Sequence, residues 1–174
     1  TRIDIQTLKT IPAARTVLFE LLSAYGFNSV QAEEVFDHLD GGSGKVYESH
    51  EWRLLRDRKT LVLSRKDEQY KCLCHVLPLE GCVKVTQDLT FLIRRVHYDR
   101  HFTIPRSKDT VCMDLDKIEY PITVRFVQEG DRFVPFGMTG QKLVSDYLTN
   151  CQKNLFEKER QLVVCSGERI AWLV

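Results

Sequence analysis

The sequence predicts an α+β fold: an N-terminal helical pair with an antiparallel sheet, followed by a small α+β domain. Three observations predict it. Apolar residues recur at helical spacing between residues 10 and 39, the period changes to two from Lys45 onward, and beyond residue 110 one helical stretch lies among strand-like runs.

The first helix is expected over TIPAARTVLFELLSAYG, residues 10–26. Thr10 is placed to cap it, Pro12 suits its first turn and Gly26 its left-handed exit, with Val17, Leu18, Leu21, Leu22 and Tyr25 as the apolar stripe. A second helix is expected over 29–39. Asn28 and Gln31 are spaced as a capping box, Val30, Val35 and Leu39 face inward, and Gly41-Gly42 ends the segment. KVYESH, EWRLLRD and RKTLVLSR then read as strands, as do residues 70–77, 81–86 and 90–98. Pro105 interrupts pairing within the polar connection IPRSKD, so the domain boundary is expected there, giving residues 1–106 and 107–174. In the second domain TVCMDL and PITVRFVQ read as strands and VSDYL as part of a helix. QLVVC and RIAWL form a hairpin about SGE.

Length and composition narrow the function. With 174 residues, 43% of them hydrophobic, the chain can bury a core, and a formal net charge of +1 means that any charge-driven binding comes from local clustering. No apolar run reaches the roughly 20 residues of a membrane helix. A soluble, cytoplasmic protein is expected, and the start at Thr1 without methionine reads as a piece of something longer. The six cysteines lie in apolar surroundings, which suits buried, reduced thiols. Cys72, Cys74, His75 and Cys82 lack the C-x2-C spacing of a zinc knuckle, so no metal site is expected. GGSGK, residues 41–45, fails as a phosphate loop because Leu39 and Val46 stand where glycine and Ser or Thr are required. No catalytic motif appears over the whole length, which favours binding over chemistry and leaves no catalytic residue to name.

Basic residues cluster twice. RLLRDRK holds Arg53, Arg56, Arg58 and Lys59; IRRVHYDRHFTIPRSK holds Arg94, Arg95, Arg100, Arg106 and Lys108 with Tyr98 and Phe102 interleaved. Guanidinium groups beside aromatic faces suit phosphate contact and base stacking in RNA, although charged alternate residues of exposed strands give the same pattern. A third feature is GDRFVPFGMTGQKLVSDYL, residues 130–148. Arg125 and Arg132 flank a Gly130-Asp131 turn, Gly137 and Gly140 permit tight bends, and a helix is expected with Thr139 as cap and Lys142 in its first turn. A lysine there is unfavourable for the helix alone, which points to an anion docking at the helix tip.

This last pattern resembles the C-terminal domain of the tRNA(Ile)-lysidine synthetase family. The matching residues are Arg125, Gly130, Asp131, Arg132 and Phe133, then Pro135, Gly137, Gly140 and Lys142, with Arg160 and the closing IAW after them. The helices and LRDRKTLVLSR resemble that family's middle domain more loosely. The resemblance implies the tRNA-binding portion of an enzyme that converts the wobble cytidine of tRNA(Ile) to lysidine with ATP and lysine. ATP and magnesium would belong to an N-terminal domain whose SGGxDS motif is absent here, leaving this chain without a cofactor. The implied partner is tRNA(Ile), with no membrane and with a homodimer open. Arg132, Lys142 and Arg160 are the implied RNA contacts, with Arg125, Arg56, Arg58, Arg94 and Arg95 as weaker candidates, and Gln141-Lys142 departs from the lysine run of many relatives. Two other readings remain: a protein-interaction or dimerisation module using the strand IAWLV, and an enzyme built on a Cys and His pair.

Overall fold

The computed structural model describes residues 1–66 and 73–174; of the expected strand at 70–77, residues 70–72, including Cys72, lie outside them. It divides into two compact units, Thr1–Glu68 with Asn154–Phe156, and Gln69–Lys153 with Glu157–Val174.

The first unit sets helices on an antiparallel sheet. Strand β1 (Arg2–Asp4) leads into α1 (Ile5–Thr10), whose first turn is capped by the Asp4 carboxylate accepting from the Thr7 amide at 2.7 Å. This short helix was not expected, and it moves the next one. Thr10 ends α1, Pro12 lies in the turn after it, and α2 (Ala14–Ser23) starts behind Ala13 in a left-handed conformation. Helix α3 (Ser29–Asp37) carries the expected capping box, Asn28 accepting from the Gln31 amide while Gln31 accepts from that of Asn28. Strands β2 (Val46–Glu48), β3 (Trp52–Asp57) and β4 (Thr60–Arg65) complete a sheet of order β1-β4-β3-β2.

Leu18 and Leu22 of α2, and Val35 and Leu39 of α3 and its exit, pack on Leu54, Leu61 and Leu63 of the sheet. Val30, expected inward, is 72% exposed because Ala32, Val35 and Leu39 form the inner stripe; Leu21 lies outside the stripe of Leu18 and Leu22. Ser49 is buried between these layers, where its hydroxyl donates to the Tyr25 carbonyl at 2.7 Å and accepts from the Trp52 amide at 3.2 Å.

The second unit is built on β5 (Cys74–Val76), β8 (Ile122–Phe126), β11 (Leu162–Ser166) and β12 (Arg169–Leu173), in sheet order β12-β11-β8-β5. A separate hairpin of β6 (Gly81–Lys84) and β7 (Thr90–Ile93) covers its apolar face: Val85 and Phe91 join Val124, Phe126, Leu162 and Val164, and Phe91 meets Trp172 edge-on at 6.2 Å. Strands β9 (Arg132–Phe133) and β10 (Lys142–Leu143) form a short ribbon, followed by α4 (Val144–Asn150); α5 (Leu155–Glu159) begins in the first unit and ends in the second.

Three expectations differ from this architecture. The division between units falls near residue 68 rather than at 106/107, because β5 pairs with β8 across the expected boundary (Cys74↔Arg125, Val76↔Thr123). TVCMDL is not a strand; β5 occupies the place beside β8, and the segment runs irregularly into a 3-10 turn at Leu115–Lys117. The strand expected to reach Tyr98 stops at Ile93.

Candidate nucleic-acid interface

The turn after β8 is held from inside by its own charges. Gly130 takes φ +84°, the Asp131 amide donates to the Gln128 carbonyl at 3.2 Å, and the Gln128 amide donates to Asp131 Oδ2 at 2.8 Å. Arg125 forks onto the same carboxylate at 2.8 and 2.9 Å and also donates to the Phe126 carbonyl at 3.0 Å. Hydrogen bonding from Arg125 to Asp131 raises the guanidinium's already high pKa. Burial works to raise the carboxyl of Asp131, but the Arg125 and Gln128 hydrogen bonds together outweigh it and leave it below its ordinary value. Arg125 and Asp131 thus brace the turn.

The expected anion site at a helix tip is not formed. Helix α4 begins at Val144 behind Leu143, with no side-chain cap from Thr139, and Lys142 lies in β10 instead of the first turn. The Val144 amide already donates to the Asp131 carbonyl at 2.9 Å. Lys142 pairs with Phe133 and Leu143 with Arg132, so the pleat sends Arg132 and Lys142 to opposite faces of the ribbon. Phe133 anchors the ribbon by an edge-on contact with Tyr147 of α4 at 5.1 Å. Gly137 has φ +78° in a turn closed by the Met138 amide on the Pro135 carbonyl, whereas Gly140 has neither a positive φ nor a neighbour that a Cβ would meet.

The remaining basic candidates divide between the units. In the first, Arg56 is partly buried and donates to the Leu39 carbonyl at 2.8 Å, closing the end of α3, and exposed Arg58 sits at φ +46° in the β3–β4 turn. Around them Lys9, Arg15, Lys45, Arg53, Arg65 and Lys66 each meet a carboxylate. In the second unit, Arg160 is exposed on a cleft of about 340 Å³ shared with Lys153, Glu157 and Val174. Arg94 and Arg95 follow β7 directly and are exposed, as are Arg100, Arg106 and Lys108. None of these five has an ion-pair partner among the described residues. Tyr98, 77% exposed, meets Phe102 edge-on at 6.0 Å in the same stretch.

Sequence reasoning passed over Phe136. It stands wholly in solvent on the eight-residue loop joining β9 to β10, between Val134 and Met138, both also exposed. The readable signal was an aromatic residue inside a Pro-x-Gly bend, where no strand or helix period gives it a buried side.

Among the described residues no group of three or more His, Cys, Asp or Glu side chains gathers to hold a metal, and no helix is long and apolar enough to cross a membrane. Of the five described cysteines Cys165 alone is buried, and burial pushes its thiol up, against the thiolate that a nucleophile needs; Cys74, Cys82, Cys112 and Cys151 are exposed where buried thiols were expected.

A family model described as "TilS substrate binding domain" matches residues 1–66, nearly the extent of the first unit. The chain is 40% identical over 176 residues to a tRNA(Ile)-lysidine synthase of Bacteroides thetaiotaomicron, covering 99% of this chain and 37% of that protein. To the tRNA(Ile)-lysidine synthase of Parabacteroides distasonis it is 36% identical over 173 residues, with coverage of 99% and 39%. The chain therefore spans under two-fifths of the length of these relatives. A match along nearly all of this chain, joined to a substrate-binding domain over the first unit, shows that the chain belongs to the tRNA(Ile)-lysidine synthase family.

Proposed function

We propose that this chain is a tRNA-holding portion of a tRNA(Ile)-lysidine synthase. It grips tRNA(Ile) in the cytoplasm while the conversion of the wobble cytidine, with ATP, magnesium and lysine, proceeds on the part of the enzyme that this chain does not span. The observation that carries the reading is the stretch from Arg94 to Lys108: exposed Arg94, Arg95, Arg100, Arg106 and Lys108, without ion-pair partners among the described residues, stand beside exposed Tyr98. Paired surface cations present little net charge to a polyanion, whereas unpaired ones release counterions from it on contact. Arg132, Lys142 and Arg160 join them as contacts of the second unit, approaching RNA from more than one face of the ribbon. Arg125 and Arg56 serve the fold, and Arg58 is the contact we assign to the first unit.

The test is tRNA(Ile) binding by fluorescence anisotropy at several salt concentrations. Neutralising Arg94 and Arg95 together lowers the slope of log affinity on log salt by about 1.4–1.8 units, since each phosphate contact contributes about 0.7–0.9. An unchanged slope removes those residues from the interface. A mass that grows with concentration, with no salt-sensitive tRNA binding, overturns the reading in favour of a dimerisation module.

A further inference from the structure

The β9–β10 hairpin displays an apolar tip on a cationic root. Residues 132–143, RFVPFGMTGQKL, contain Arg132 and Lys142 and no carboxylate. In the turn before them Asp131 is already neutralised by Arg125, which leaves exposed Glu129 as the one further acid of that turn against the two cations. At the tip Phe136 has a relative exposure of 107%, with Val134 at 50% and Met138 at 45% beside it. The loop is nevertheless built: Pro135 is buried, the Met138 amide closes a turn on the Pro135 carbonyl at 3.0 Å, and Gly137 takes the left-handed conformation that this turn needs. Below it, Phe133 against Tyr147 and the Val144 amide on the Asp131 carbonyl tie the root to α4. A scaffolded loop therefore presents a phenyl ring with both faces open.

We infer that Phe136 is a stacking residue, its ring taking the face of an unpaired nucleobase of the bound RNA while Arg132 and Lys142 hold the neighbouring phosphates. This inference rests on the RNA-binding reading above and adds to it a specific contact. The charge selects the partner. An acidic or apolar protein surface would also satisfy an apolar tip, but two cations with no carboxylate between them match a backbone that repeats a negative charge at every nucleotide. The flat ring then selects an unstacked base, because paired bases in an A-form duplex show their edges and not their faces. Met138 lends an adaptable, polarisable side wall.

Because Phe136 touches no core, its replacement leaves the unfolding transition in place, and binding can be read cleanly. Phe136→Ala is expected to weaken tRNA affinity about five- to a hundred-fold, the range seen for loss of one base–aromatic stack, and to leave the salt slope unchanged because the ring carries no charge. Phe136→Trp restores affinity, and its indole fluorescence is quenched when tRNA is added, while Phe136→Leu does not restore it. On a blunt RNA duplex the alanine and parent proteins bind alike. If Phe136→Ala binds tRNA as the parent does while the Arg94 and Arg95 variants still lose salt dependence, the stacking assignment is overturned and the RNA-binding reading stands. If neither parent nor variant binds tRNA, both fall. A change in self-association with no change in tRNA affinity overturns the assignment in favour of a protein contact.

Discussion

Replacing Asp131 by Asn removes one charge from a pair that fixes the turn before the hairpin. The side chains of Arg125 and Asp131 are 19% and 13% exposed, which sets them between the surface pairs that contribute about 0–1 kcal/mol and the buried ones whose breakage costs about 3–5 kcal/mol. Two charge-assisted hydrogen bonds at 2.8 and 2.9 Å and the Gln128 amide bond depend on this carboxylate, so about 2–3 kcal/mol is expected for Asp131→Asn. Urea unfolding followed by Trp172 fluorescence in a Trp52→Phe background reports on the second unit, where Trp172 packs on Phe91. Combined with Arg125→Met, the two changes should be less harmful than their sum by about 1–3 kcal/mol. The folded carboxyl lies below its ordinary value of 3.8, so its contribution is complete above that pH and is lost as pH falls through the folded value; the Asn variant lacks this acid sensitivity. Single effects that add within about 0.5 kcal/mol would refute the claim that the pair acts as a brace.

Three further outcomes follow from single substitutions elsewhere. Asn28→Ala removes half of the capping box and is expected to destabilise the first unit by about 1 kcal/mol, read as a shift in the Trp52 unfolding transition. Gly130→Ala places a Cβ at φ +84° and costs about 1–2 kcal/mol with no steric clash, while Gly140→Ala, free of that strain, stays within about 0.5 kcal/mol of the parent in the same denaturation assay.

The local chemistry of the first unit was legible because short-range signals decide it. Asn28 and Gln31 form their capping box whatever surrounds them, and the alternation in TLVLSR survives as Leu61 and Leu63 buried in β4. Long-range competition was not legible. TVCMDL has a strand's composition but loses the place beside β8 to β5, and nothing near Thr110 announces that. Lys142 shows the same limit on a smaller scale: its spacing fits a helical first turn, yet pairing with Phe133 holds it in a strand for two residues more. For the candidate interface, sequence clustering found the cations but could not tell which were paired. Arg125 and Arg94 look equivalent in the sequence, and only the position of Asp131 distinguishes them.

The pairing of Arg2 with Val62 imposes an order of assembly on the first unit. During synthesis α2 and α3, whose contacts are local, can form as soon as they leave the ribosome, whereas β1 has no neighbour until β4 emerges some sixty residues later. Until then the edge that β1 will occupy does not exist. A translational pause placed before β4 would lengthen that open interval, and one placed after it would let the sheet shut before the second unit begins to appear.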